Sequence, residues 1–202
     1  MLLVAISVPA HADVDWARGL LTADGLGIAD RHAPNPAVAR GTSRRVAEDA
    51  ARHILAAKLG ELPIAGGGTV AARAKDPAVK ARLDAAVAGA YAIAAEPETD
   101  GAWRVTMAVP IEAIRQAIDG VRELPAAGDS GPPIVIVDGA GKAKPAVGWT
   151  IGGHSAATVW VAEPPAWAAA APHAAATKVA GNAIEIASSG ATHATLFVIV
   201  TK

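Results

Sequence analysis

Residues 128–146 read GDSGPPIVIVDGAGKAKPA and set two chemical signatures end to end. Asp129-Ser130-Gly131 followed by Pro132 has the composition of a serine-protease nucleophile loop. In such a loop a Ser hydroxyl attacks a carbonyl after a His takes its proton, and an Asp orients that His. The run IVIVD leading into Gly139-Ala140-Gly141-Lys142 has the outline of a phosphate-binding loop, where Gly backbone N–H groups and a Lys cradle phosphates.

Each signature lacks a partner that its chemistry requires. Trypsin-like enzymes place the His and Asp ahead of the Ser in a β-barrel. Here the chain ahead of Ser130 reads as largely helical, with His53 inside a helix and His32 just before it. The phosphate loop would need Gly at Ile136 and Ser or Thr at Ala143, and the dinucleotide pattern would need Gly at Lys144. The expected structure is therefore a linker, a strand and a turn between strands, with Lys142 and Lys144 on a solvated loop. If the strand is covered on one face only, just one of Val135 and Ile136 is intolerant of a charge. A serine hydrolase centred on Ser130 would need a His within hydrogen-bond reach.

No other grouping supplies a site. His154, His173 and His193 lack metal-ligand spacing, and Glu96, Glu98 and Asp100 read as a solvated hairpin turn. No catalytic, metal-binding or cofactor-binding residue is expected. The residues left for recognition are Trp149, Trp160 and Trp167, which would serve as stacking platforms if exposed.

Composition narrows the classes. The chain has 202 residues, a formal net charge of -1 and no Cys. It offers no basic footprint for nucleic acid and no polybasic segment for an anionic membrane. Thiol chemistry, disulfides and a lipid anchor through Cys are excluded. Residues 1–12, MLLVAISVPAHA, combine an apolar run with an Ala10-His11-Ala12 cleavage pattern before Asp13. This reads as a signal peptide without its basic leader, and so as a periplasmic or secreted protein. No apolar run reaches the length of a transmembrane helix.

Periodicity predicts an α+β fold, with helices packed on a mostly antiparallel sheet and a smaller β-rich C-terminal region. Residues 13–122 form the first domain, 123–133 a linker and 134–202 the second domain. A helix over 37–59, capped by Asn35 and begun by Pro36, should bury an Ala47/Ala50/Ile54 stripe. Gly60 should end it. A loop and a short strand follow over 62–72. Asp76-Pro77 opens a second helix, 91–95 and 103–109 form a hairpin, and 110–118 form a third helix. Strands are expected at 134–137, 146–151, 158–162, 183–187 and 194–200. The stretch PPAWAAAAPHAAATK at 164–178 has the composition of a mobile loop.

The order of these features resembles a known family. It runs from WARGLLTADGLG through the helix AVARGTSRRVAEDAARHILAAKLGEL and the hairpin end DGAWRVTMAVPI to PPIVIVDGAGKAKPAVGWTI. This resembles the LPP-type lipoprotein family of bacterial surface proteins and is similar to the N-terminal domain of the flagellar assembly protein FlgT. The resemblance covers most of residues 14–151 and fades beyond. It implies an α+β fold in the cell envelope and a non-enzymatic assembly or interaction role among envelope or flagellar proteins. The lipidated Cys of the lipoproteins has no counterpart here. A small-ligand or polysaccharide-binding module built on exposed Trp residues is the alternative.

Overall fold

The computed structural model describes residues 12–121, 131–187 and 193–201. Residues 1–11 of the expected signal peptide, and Ser130 with most of the expected linker, lie outside the described residues.

The first half is an antiparallel sheet with helices against one face. Strands β1 (Ala12–Asp15), β2 (Leu20–Gly27), β3 (Tyr91–Pro97) and β4 (Trp103–Pro110) pair in the order β1-β2-β4-β3. The expected hairpin is β3–β4. Helix α1 (Pro36–Glu61) starts where Asn35 accepts a hydrogen bond from the Val38 N–H at 3.0 Å, with Pro36 in its first turn. It runs through Gly60 to Glu61, past the expected stop. Its buried stripe is Ser43, Ala47, Ala51, Leu55 and Leu59, so Ala50 and Ile54 lie at the margin rather than the centre. Small residues at 43, 47 and 51 let the helix axis approach β2 closely. A Cβ at Gly25 or Gly27 would overlap the backbone carbonyls of Ala47 and Ser43.

The run at 69–72 forms a short helix, α2 (Val70–Arg73), in place of the expected strand. The preceding Gly66-Gly67-Gly68 all hold positive φ, which fixes a tight loop ending in a helical turn. Helix α3 (Pro77–Ala88) is capped by Asp76, and α4 (Ile111–Asp119) ends at Gly120. Leu55, Val105, Met107 and Ile114 fill the core between the helices and the sheet.

The second half is a seven-stranded mixed sheet. Its strands are β5 (Ile134–Asp138), β6 (Thr150–Ile151), β7 (His154–Ser155), β8 (Ala157–Val161), β9 (His173–Ala180), β10 (Ala183–Ile186) and β11 (Leu196–Val200), in the order β7-β6-β10-β9-β5-β11-β8. Strands β9, β5, β11 and β8 are mutually parallel. The expected loop at 164–178 therefore holds a central strand, β9, preceded by a 3-10 turn over Ala166–Ala168. Its Ala-rich sequence carries no strand pattern, and the two neighbouring strands supply the ladder instead. The turn after Asp138 does not return to a neighbouring strand. It leads away through residues 139–149, and only Thr150–Ile151 of the expected 146–151 strand joins the ladder.

Both faces of β5 and β11 are covered. Val135, Val137, Phe197 and Ile199 lie under the 139–149 segment, with Trp149 and Trp160. Ile136, Val159, Val198 and Val200 lie under Ala168 and Ala171. Burial on two faces is the usual condition of parallel strands.

The halves share residues. Val147 forms a parallel bridge with Ile64 and packs in the first core, while Ala65 packs in the second. Trp16 touches both cores and accepts a hydrogen bond from the Trp160 N–H at 3.0 Å.

Candidate functional site

The three tryptophans separate into two kinds. Trp149 and Trp160 are 6% and 4% exposed, with ring centroids 6.0 Å apart at a tilt of 56°. The Trp149 indole N–H donates to the Lys144 carbonyl at 3.1 Å. Neither ring can stack on a ligand in this structure, which corrects their expected role as platforms. They anchor the second core instead. Trp167 is 59% exposed. It sits on the 3-10 turn that Pro164-Pro165 open, where Ala168 points onto the sheet and Trp167 turns outward.

Trp167 lines an open groove of about 570 Å3 between the two sheets. Tyr91, the first residue of β3, lines the same groove and is 46% exposed. Leu20, Pro110 and Leu196 add apolar wall, and Arg18 and Glu112 add charge. Arg18 lies in the β1–β2 turn, where its N–H donates to Asp15 Oδ1 at 2.9 Å. Glu112 stands in the first turn of α4, the end where the helix dipole favours a carboxylate. Sequence reasoning missed Tyr91, Arg18 and Glu112, because the groove arises from two sheets whose relative placement no local pattern encodes.

A charged latch closes the seam beside this groove. Arg115, 4% exposed, donates from Nε and Nη2 to both oxygens of Glu112 at 2.8 and 2.7 Å. Its Nη1 donates to Ser155 Oγ at 3.0 Å, joining α4 to β7 across the halves. The hydrogen bonds to Glu112 hold the guanidinium firmly in its charged form.

Among the described residues, those of the two opening signatures do not converge on chemistry. The His193 ring packs against Gly131, so that a Cβ there would overlap it. Ser130 itself lies outside the described residues. Lys142 is exposed on a loop with Gly139 and Gly141, at a surface hollow shared with Lys178 of β9, and Lys178 is paired to Glu185 at 3.1 Å. No helix begins there to aim N–H groups at a phosphate. His173 contacts Asp138 at 2.7 Å on the open surface, and His154 and His193 stand elsewhere. Among the described residues, no group of three or more His, Cys, Asp or Glu could hold a metal ion. Also among them, no helix is long and apolar enough to cross a membrane. A fluorophosphonate probe is expected to leave Ser130 unlabelled, and ATP is expected to leave the unfolding temperature unchanged in both the wild type and Lys142→Ala. Labelling at Ser130, or ATP stabilisation lost in Lys142→Ala, would reinstate the corresponding chemistry.

Compared with known proteins, the chain matches no protein-family model and no curated protein.

Proposed function

We propose that this is an exported, non-enzymatic protein of the cell envelope that binds a partner along the groove between its two sheets. The observation that carries this reading is the pairing of Tyr91 and Trp167, two large exposed aromatics on one apolar groove. Aromatic side chains of this kind bury much surface at little entropic cost, and they anchor protein contacts. The signal-like residues 1–12 and the resemblance to LPP-type lipoproteins and to the N-terminal domain of FlgT favour an envelope or flagellar partner.

Two measurements in the native host test this. Mass spectrometry of the extracytoplasmic fraction is expected to find a mature N-terminus at Asp13. A photo-crosslinking residue at position 167 or 91 is expected to give the same discrete adduct, absent when the probe replaces exposed Ala56 on α1. Cytoplasmic protein retaining Met1 would defeat the export half. Adducts absent at both groove positions, or equal at position 56, would defeat the binding half. The exposure of Trp167 also favours a second reading, a polysaccharide or small-ligand module. Quenching of Trp fluorescence by a soluble polysaccharide, lost in Trp167→Ala, would select it.

A further inference from the structure

Each sheet has two edge strands, and three of these edges are blunted. β1 is short and carries Asp13 and Asp15, β3 has a register shift between Ala92 and Ala94 and ends at Pro97, and β7 is only His154–Ser155. Charge, bulges, proline and shortness are the usual devices that keep sheet edges from pairing. β8 has none of them. Its sequence ATVWV is uncharged and rich in β-branched residues, and it runs in unbroken register with β11. β8 also forms one wall of the Tyr91–Trp167 groove, through Ala157, Thr158 and Val159.

The hydrogen bonds of β8 show which backbone groups face that groove. The Ala157 N–H donates to the Thr195 carbonyl at 3.2 Å, and the Val161 carbonyl accepts from the Thr201 N–H at 3.0 Å. Residues 157, 159 and 161 therefore turn their backbone groups toward β11, and Thr158 and Trp160 turn theirs away from it. The Trp160 N–H is taken by the Trp16 carbonyl, so the protein's own chain already lies on this edge at Trp160. It leaves the edge at Thr158, whose N–H and C=O have no hydrogen-bond partner among the described residues. Gly19, at φ 65° in the β1–β2 turn, puts no side chain over them: a Cβ there would stand 3.9 Å from the Thr158 oxygen. Thr158 is half-buried, and an extended backbone satisfies both of its groups at once.

We propose, on the footing that this groove is the binding site, that its occupant is an extended apolar segment of a partner protein that adds a strand to β8 by pairing with the N–H and C=O of Thr158. Main-chain pairing sets the conformation of such a segment, and the walls set its side chains. Alternate side chains of an added strand fall on the two faces of the sheet. Those on the face that Val159 shares with Ala168 meet Trp167, which stands beside Ala168 on the 3-10 turn. Leu20, Pro110 and Leu196 make apolar residues the fitting choice. Charge adds a preference for an acidic residue. Glu112 is already held by Arg115 and Gln116, whereas the ion pair of Arg18 to Asp15 spans 4.0 Å.

The probe is a capped heptapeptide of alternating valine and threonine with a terminal glutamate, titrated into the full chain beside a copy N-methylated at every backbone nitrogen. The unmodified peptide is expected to bind saturably and to slow hydrogen exchange at the Thr158 amide. The methylated copy keeps the side chains but cannot donate, and is expected to bind at least about tenfold more weakly. Thr158→Pro deletes the outward N–H and is expected to weaken binding of the unmodified peptide to a like degree. It is also expected to unfold close to the wild type, since that N–H belongs to no ladder. The comparison of the two peptides uses the wild type and stands whether or not that variant folds. No saturable binding of the unmodified peptide, equal binding of the two peptides, or unchanged binding in folded Thr158→Pro would overturn strand addition. Binding lost in Trp167→Ala but indifferent to N-methylation would keep the groove as the binding site and overturn the added strand alone.

Discussion

Replacing Gly25 or Gly27 with alanine is expected to be strongly destabilising. Both glycines lie on β2 under α1, and the added methyl would enter the space of the Ala47 or Ser43 carbonyl oxygen. Those atoms belong to a helix backbone held by its own ladder and by Asn35, so no side chain can rotate aside. Overpacking typically costs about 1–3 kcal/mol, and a clash with backbone belongs at or above the top of that range. For a chain of this size, about 3 kcal/mol lowers the unfolding midpoint by roughly 6–12 °C. The comparison is Gly41→Ala, inside the same helix and with nothing within 4 Å of the added carbon. It is expected to stabilise by about 0.5–1 kcal/mol, because alanine loses less backbone freedom in a helix. Equal midpoints for Gly25→Ala and Gly41→Ala would show that α1 does not rest on β2 as described.

Val135→Asp and Ile136→Asp are both expected to be severely destabilising. A strand with one wet face would tolerate one of the two. β5 has no such face, for Val135 is 3% exposed in one core and Ile136 is 0% exposed in the other. Each aspartate would be buried without a partner, at a cost of at least about 4 kcal/mol or of a carboxyl forced to stay protonated. Lys142→Asp, on the exposed loop that follows, is expected to fall within about 0.5 kcal/mol of the wild type. Urea unfolding of the three variants checks the set. Near-wild-type stability of either β5 variant would refute two-sided burial.

Apart from α2, which took the place of an expected strand, the helices and the hairpin of the first half were legible because local chemistry marks them. Asn35-Pro36 and Asp76-Pro77 announce helix starts, and the alternation from Trp103 to Val109 announces a strand half in and half out of the core. The exact face of α1 was not legible. Its stripe is mostly alanine, and neighbouring alanines at 47, 50 and 51 carry nearly equal weight in any periodic reading. β9 was hidden for a related reason. HAAATKVA has few of the branched and aromatic residues that mark strands, and only its neighbours β5 and β10 make it one. The failure of the phosphate-loop pattern at Ile136 and Ala143 was readable in the sequence alone. The burial of Trp149 and Trp160 was not, since a tryptophan's residue type is the same on a platform as in a core.

The exchange of Val147 and Ala65 between the halves bears on the order in which the chain can mature. A growing polypeptide emerges from its N-terminus. The first sheet and its helices emerge without Val147, and their core lacks one of its buried members until residue 147 follows. The early half thus gains its last buried core member only when residue 147 has followed. A chain that crosses a membrane through a narrow channel must remain loosely packed until it has passed. For a chain exported as proposed, borrowing Val147 from a later part of the chain would supply such a delay without a disulfide.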